Sequence, residues 1–333
     1  MGVRSRLLAV STSALPHRSL SVFRLASVAA CCPTSRYRSK LFAVRMASTD
    51  SSAPAPAPAP APPPPPPPAH TITLPGGAAL QIVAAAGVSE PDFRNAISCA
   101  LFKQWLNNIQ SEKGLLAHGK MCLRQVQIQG VDMFGRRVGF LKFKADVIEK
   151  ETGTKIPGIV FARGPAVAVL ILLESGGDTY AVLTEQVRVP VGKIILELPA
   201  GMIDDEKGDV VGTAVREVEE ETGICLKLED MVNLTAFLDP TTGCKVFPSS
   251  GGCDEEISLF LYKGQVNMET INALQGKETG LRDHGELIEV HVVPYDKLWR
   301  ITADAKALCA IALYEMTKRD GLLPQTISRE VSK

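Results

Sequence analysis

The 333-residue chain balances 36 Lys and Arg against 36 Asp and Glu, but the charges are unevenly placed. Residues 1–49 carry eight basic side chains and no acidic one, which leaves a body with 28 basic and 36 acidic residues. An acidic body without a Lys/Arg cluster interleaved with aromatics excludes a role resting on nonspecific nucleic-acid binding, and the longest apolar run, residues 166–173, falls short of the roughly 20 residues of a membrane-spanning helix.

Residues 1–47 are rich in Ser and Arg and free of acid, the composition of an organelle transit peptide, with the serines and scattered arginines favouring a plastid. Arg18, Arg24 and Arg36 interrupt every stretch that could serve as a secretory h-region. Met46 offers an internal start that would give an untargeted, cytosolic form. Residues 48–69 read as an Ala/Pro-rich linker. Its seven consecutive prolines, 62–68, lack amide donors and fix φ, so an extended polyproline spacer is expected there.

The body then divides into a smaller N-terminal α+β subdomain, 70–155, and a main domain, 156–333. Phe93, Ile97, Ala100, Leu101 and Leu106 recur at helical spacing and predict one helix over 90–112, stopped by Gly114. Strands are expected at 121–129 and 139–148 around a turn at Gly135. A strongly apolar strand, 166–173, turns at Gly176-Gly177 into 179–189, and another strand covers 194–198. An acidic helix is expected over 210–222, closed by Gly223 at its C-cap. Strands at 231–238, 256–263 and 287–293 follow, then a helix at 304–319 with Ala305, Leu308, Ile311, Ala312 and Leu313 on its apolar side. The order is mixed α/β, without strict βαβ alternation. Eight cysteines without CxxC spacing read as reduced thiols. Trp105 and Trp299 are either stacking surfaces for a base or core anchors.

The densest chemical signal is Leu198-Pro-Ala-Gly201 followed by Arg216-Glu217-Val218-Glu219-Glu220-Glu221-Thr222-Gly223-Ile224. Glu217, Glu220 and Glu221 fall at i, i+3 and i+4 and share one helix face. Carboxylates that close repel, and hard oxygen ligands grouped this way suit Mg²⁺ or Mn²⁺. Arg216 can pair with Glu220 at i+4. By charge pattern alone, a solvated acidic face is the competing reading.

The string resembles the Nudix box, in which Gly is followed by five residues, Glu, seven residues, then Arg-Glu-aliphatic-x-Glu-Glu-x-Gly-aliphatic. Gly201 opens it, and Arg216, Glu217, Val218, Glu220, Glu221, Gly223 and Ile224 match its second half. The first half is one residue longer than the pattern, so the first Glu falls on Lys207 or Gly208, with Glu206 and Asp209 nearby. The flanking segments Glu185-Gln186-Val187-Arg188, Glu197-Leu198-Pro199-Ala200-Gly201 and Asp283-His284-Gly285-Glu286 are similar to those of ADP-ribose and ADP-sugar pyrophosphatases.

The resemblance implies a Nudix α/β/α sandwich with a mixed sheet over 156–333. It implies a metal-dependent hydrolase acting on a nucleoside diphosphate sugar such as ADP-glucose or ADP-ribose, and an N-terminal extension used to form a homo-oligomer. Residue by residue, it implies metal ligands at Glu217, Glu220, Glu221 and the Ala200 carbonyl, a phosphate contact at Arg188, and a loop carboxylate at Glu286 near the attacked phosphorus. Glu220 and Glu286 are thereby the candidate catalytic residues. The rivals are a binding module that holds the nucleotide uncleaved, and a Nudix hydrolase for another nucleoside diphosphate such as UDP-glucose.

Overall fold

The computed structural model describes residues 66–203, 209–280 and 286–324, with the backbone of 329–330. The expected transit peptide, most of the linker, the box residues Glu206, Lys207 and Gly208, and the Asp283-His284-Gly285 segment lie outside the described residues.

The N-terminal part is a sheet with two helices on one face. Strands β1 (Ala69–Thr73) and β2 (Ala79–Ala84) precede α1 (Glu90–Ser98) and α2 (Ala100–Gln110), and the long ribbon β3 (Met121–Phe134) and β4 (Arg137–Glu149) leads into β5 (Lys155–Ile156) and β6 (Ile159–Ala162). The sheet order is β1-β2-β3-β4-β5, with β6 also on β4; β2 and β3 are parallel and the other pairs antiparallel. Helix α1 starts where the Ser89 hydroxyl accepts from the Asp92 amide, a side-chain N-cap. The single helix expected over 90–112 is two, because Cys99 sits in extended backbone between them. That break lets Phe93 and Ala96 of α1 and Phe102 and Ile109 of α2 bury into one core with Leu80, Ile82, Val126, Ile128, Leu141 and Phe143. Trp105 belongs to this core, its ring centroid 4.7 Å from that of Phe143.

The second sheet contains β7 (Pro165–Ser175), β8 (Asp178–Arg188), β9 (Lys193–Glu197), β10 (Ala200–Met202), β11 (Val232–Asn233), β12 (Glu256–Gln265), β13 (Glu278–Thr279) and β14 (Ile288–Pro294). Its order is β11-β12-β7-β8-β14-β13, with β9 on β8 and β10 on β7. Only β7 and β12 among these pair in parallel, so the sheet is mixed. Helices α3 (Val210–Thr222) and α4 (Met268–Leu274) cover one face, and α5 (Tyr295–Ile301) and α6 (Ala305–Arg319) the other. The apolar run of β7 follows from this arrangement. Ala168, Leu170 and Leu172 pack toward α5 and α6, while Val167, Val169, Ile171 and Leu173 pack toward α3 and α4. A central strand buried on both faces has no polar side to alternate with. The result is the expected α/β/α sandwich.

Two further expectations are corrected. The strand expected over 231–238 is reduced to β11, after which Leu234–Phe237 turns as a 3₁₀ helix capped by the Asn233 side chain. Helix α6 buries Ala307, Ala310, Tyr314 and Thr317, whereas Ala305, Leu308 and Ala312 of the expected apolar side are exposed. The seam there is built from Ala307, Ala310 and Tyr314, which join the core on that face of the sheet. Strands β1 and β2 and helices α4 and α5 were not anticipated.

The two sheets are tied by specific bonds. The Asp254 carboxylate accepts from the amides of Arg163 (2.7 Å) and Gly164 (3.2 Å), and Phe161 N donates to Gly252 O at 2.8 Å. Within the described residues all six cysteines are free thiols, and no helix is long and apolar enough to cross a membrane.

Candidate active site

Helix α3 has local sequence reasons for both of its ends. The Asp209 carboxylate accepts from the Gly212 amide at the N-terminus, and Gly223 takes a left-handed φ of 73° at the C-cap. Of the acids near the position of the box's first Glu, Asp209 is therefore a helix cap. Ala214 and Val218 anchor the helix on the sheet, and this orientation grades the three carboxylates: Glu221 is buried, Glu217 half-buried and Glu220 exposed. Arg216 does not pair with Glu220 but donates to Thr213 Oγ1 at 3.0 Å, as expected where helical side chains lean toward the N-terminus.

Glu221 is held from two strands. Gln186 Nε2 of β8 donates to its Oε1 at 3.0 Å, and the Ala200 amide of β10 donates to its Oε2 at 3.1 Å. Glu217 lies against the next residue, Gly201, where an added Cβ would overlap the Glu217 carboxyl group. The leading glycine of the box is thus explained by close approach rather than by a turn. Ala200 and Gly201 run along the two deeper carboxylates, which places the Ala200 backbone in the same constellation as Glu217 and Glu221. Burial pushes the Glu221 carboxyl up to about 8 from an ordinary 4.5, and the Glu217 charge adds to this against the Ala200 amide, Gln186 and Arg188. A buried carboxylate with a second acid beside it is stabilised as an anion by a cation. The donor set, hard oxygens with spare lone pairs, fits Mg²⁺ or Mn²⁺.

Arg188, at the end of β8, is half-buried and forked onto Glu197, with Nε to Oε1 at 2.6 Å and Nη2 to Oε2 at 3.0 Å. Glu197 also accepts from Lys306 Nζ at 2.8 Å, and Lys306 reaches Asp304 Oδ1 at 2.9 Å. The other oxygen of Asp304 accepts from Leu198 N at 3.2 Å and Ala307 N at 3.3 Å. Burial alone would raise the Glu197 carboxyl, but the hydrogen bonds from Arg188 and the Lys306 charge outweigh it and hold it below the usual range. Neither Lys306 nor Asp304 was foreseen from sequence; each lies over a hundred positions from its partner, and no local pattern announces such a pair. Gln186 lies within the Glu185–Arg188 segment, but only the fold reveals its bond to Glu221.

Glu286 is exposed, two residues before β14. Its carbonyl lies beside Gly280, whose added Cβ would approach Glu286 O to 3.1 Å, so residues 280 and 286 form the stem of one loop. That stem is fastened to the glutamate helix, since Thr279 Oγ1 donates to Glu221 O at 2.5 Å and Thr279 pairs with Ile288. Trp299 is exposed, with the Arg300 guanidinium 4.7 Å from its ring centroid.

Comparison with known proteins accords with this geometry. The NUDIX domain model matches residues 162–313. Over 255 residues the chain is 69% identical to Nudix hydrolase 14, chloroplastic, of Arabidopsis thaliana, covering 76% of this chain and 82% of that one. The chain belongs to the Nudix family. This Nudix hydrolase is also 31% identical to the ADP-ribose pyrophosphatase of Bacillus subtilis, over 45% of its own length and 72% of the relative's. It is 31% identical to the methanol dehydrogenase activator of Bacillus methanolicus, over 57% and 91% respectively.

The raised Glu221 carboxyl carries a pH signature. Its folded-state pKa lies above the unfolded one, so its contribution to stability is complete below about 4.5 and is lost as pH rises through about 8. In chelator, urea unfolding of the wild type should therefore weaken between these limits relative to Glu221→Gln, and Mg²⁺ should restore the wild type at the alkaline end. Parallel pH profiles for the two proteins would remove the buried-anion account.

Proposed function

We propose that this Nudix hydrolase cleaves the diphosphate bond of ADP-sugars, ADP-glucose or ADP-ribose, to AMP and a sugar phosphate in the plastid stroma. The observation that carries the reading is the convergence of buried Glu221, Glu217 and the Ala200–Gly201 backbone on the box helix, with Arg188 at the end of the neighbouring strand. A binding module has no use for carboxylates packed against their own repulsion. The adenylate and sugar are supported by the name of the Bacillus subtilis relative, and the plastid by that of the Arabidopsis one together with the Ser/Arg-rich leader.

Glu217, Glu220, Glu221 and the Ala200 carbonyl would hold Mg²⁺ or Mn²⁺. Bound there, the ion would offset charge on the diphosphate and acidify a water molecule. Gln186 and the Ala200 amide keep the Glu221 carboxylate in one orientation. Arg188, fixed by Glu197, presents its remaining N–H groups to phosphate oxygens. Glu286, on a loop rooted beside Glu221, accepts a proton on its carboxylate as the water oxygen joins phosphorus and the bridging P–O bond breaks in line.

A panel of ADP-glucose, ADP-ribose and UDP-glucose with Mg²⁺, with products resolved by chromatography, tests the substrate class. AMP should appear from both adenylates; preferential cleavage of UDP-glucose would move the assignment to another nucleoside diphosphate, and cleavage of none would refute the activity. Glu286→Gln should lower kcat by ~10²- to 10⁴-fold with little change in KM and should remove the acidic limb of the rate profile. Near-normal kcat at saturating Mg²⁺ would transfer the base role to another carboxylate. Residues 1–47 fused to a fluorescent reporter should direct it to plastids in plant cells, and a chain started at Met46 should stay cytosolic and active; a cytosolic signal from the leader fusion would contradict the address.

A further inference from the structure

We propose that Glu185, Glu289 and His291 form a second divalent-metal site, of the borderline transition-metal class for which Zn²⁺ is the probe, on the sheet face opposite the glutamate helix. Strands β8 and β14 are antiparallel, and their register sets Glu185 directly across from Glu289, with His291 two residues further along β14. Alternation along the strands assigns the face. Ala181, Leu183 and Val293 pack with α5 and α6, whereas Val182, Val290 and Val292 pack with α3 and α4; residues 185, 289 and 291 share the parity of the first group.

Two carboxylates opposed across a ladder repel each other, so this pair calls for a cation. The imidazole does not meet that need by hydrogen bonding. Its Nε2 lies 3.6 Å from Glu185 Oε2 and 3.4 Å from Glu289 Oε1, beyond the roughly 2.7–2.9 Å of a charge-assisted bond. That nitrogen is buried and has no hydrogen-bond partner, a state that native structures rarely leave unexplained. The separations instead match the edges of a coordination tetrahedron: ligand atoms about 2.0–2.2 Å from a tetrahedral ion stand about 3.3–3.6 Å apart. The three ligand atoms all lie within 4.8 Å of one another. One imidazole with two carboxylates is a donor set for Zn²⁺ and its neighbours rather than for Mg²⁺ alone, and three protein ligands leave the fourth position to water. The ligands come from two paired strands rather than from a loop, so their spacing is fixed by the ladder.

Equilibrium dialysis of the chelator-stripped full chain against Zn²⁺, with bound metal counted by mass spectrometry, tests the site without reference to hydrolysis. The Glu217→Gln/Glu221→Gln variant, which disables the helix cluster, should retain one equivalent, and Co²⁺ in its place should give the visible absorption of a tetrahedral ion. Adding His291→Ala, or the shape-preserving Glu289→Gln, should abolish both while circular dichroism is unchanged. Should His291→Ala fail to fold, the Glu289→Gln result decides. The proposal is overturned if the helix variant binds no Zn²⁺, if neither added substitution lowers the bound metal, or if the His291 ring titrates as a free imidazole at saturating Zn²⁺. Because no activity is read, its failure is separable from failure of the ADP-sugar assignment.

Discussion

A single buried carboxylate, Glu221, sets the terms for the architecture around it. Left without partners, an anion in that position would cost several kcal/mol, and the fold supplies two responses. Gln186 and the Ala200 amide take its two oxygens from separate strands. Thr279 and Lys277 bond the last carbonyls of its helix, at Glu221 O and Thr222 O, which adds a cation at the C-terminal end where the macrodipole favours one. Under the proposed function, a divalent ion would meet the remaining cost. Glycine at 201 follows from the same constraint, because Glu217 can lie this close to the β10 backbone only if no Cβ intervenes.

The second support is the chain of charges Arg188, Glu197, Lys306 and Asp304. It joins the end of β8, the end of β9 and the first turn of α6, and through Leu198 N it fixes the two residues that lead into Ala200. Both acids are buried. Removing one member of a buried ion pair typically costs about 3–5 kcal/mol, since the survivor is left uncompensated. The C-terminal helix, remote in sequence from the box, thereby sets the position of the guanidinium at the end of β8.

What the sequence makes legible is what is local. Helix α3 is readable to the residue because its caps, its apolar seam and its stop all lie within one short window, from Asp209 to Gly223. Where the local signal is silent or shared, the reading fails. Nothing between Glu90 and Glu112 is Gly or a mid-helix Pro, so the break at Cys99 has no residue to announce it; it is seen only in the folded chain, where both helices bury side chains in one core. The stretch 231–238 is as apolar as a strand, yet only two of its residues find a ladder partner, and pairing is a property of the neighbour. On α6 the larger aliphatics misled, because the sheet accepts alanines at the seam and leaves Leu308 outside. The shared helix face of the box glutamates was legible from their spacing, whereas Gln186, Glu197, Asp304 and Lys306 required contacts that only the folded chain creates.

Strand β8 shows how far a period of two can carry two chemistries. Thr184 and Gln186 turn toward α3, where Gln186 bonds both Thr184 Oγ1 and Glu221. Glu185, between them, turns to the other face and meets Glu289 and His291. A slip of one residue in the β8 register would exchange these sets and put a carboxylate against Glu221 and an amide against His291. The apolar neighbours forbid it, since Val182 would have to leave the α3 core and Leu183 the α6 core together. Register here is therefore held by hydrophobic burial, and the polar residues inherit their positions from it. The electrostatics of both faces rests on the packing of side chains that take no part in either.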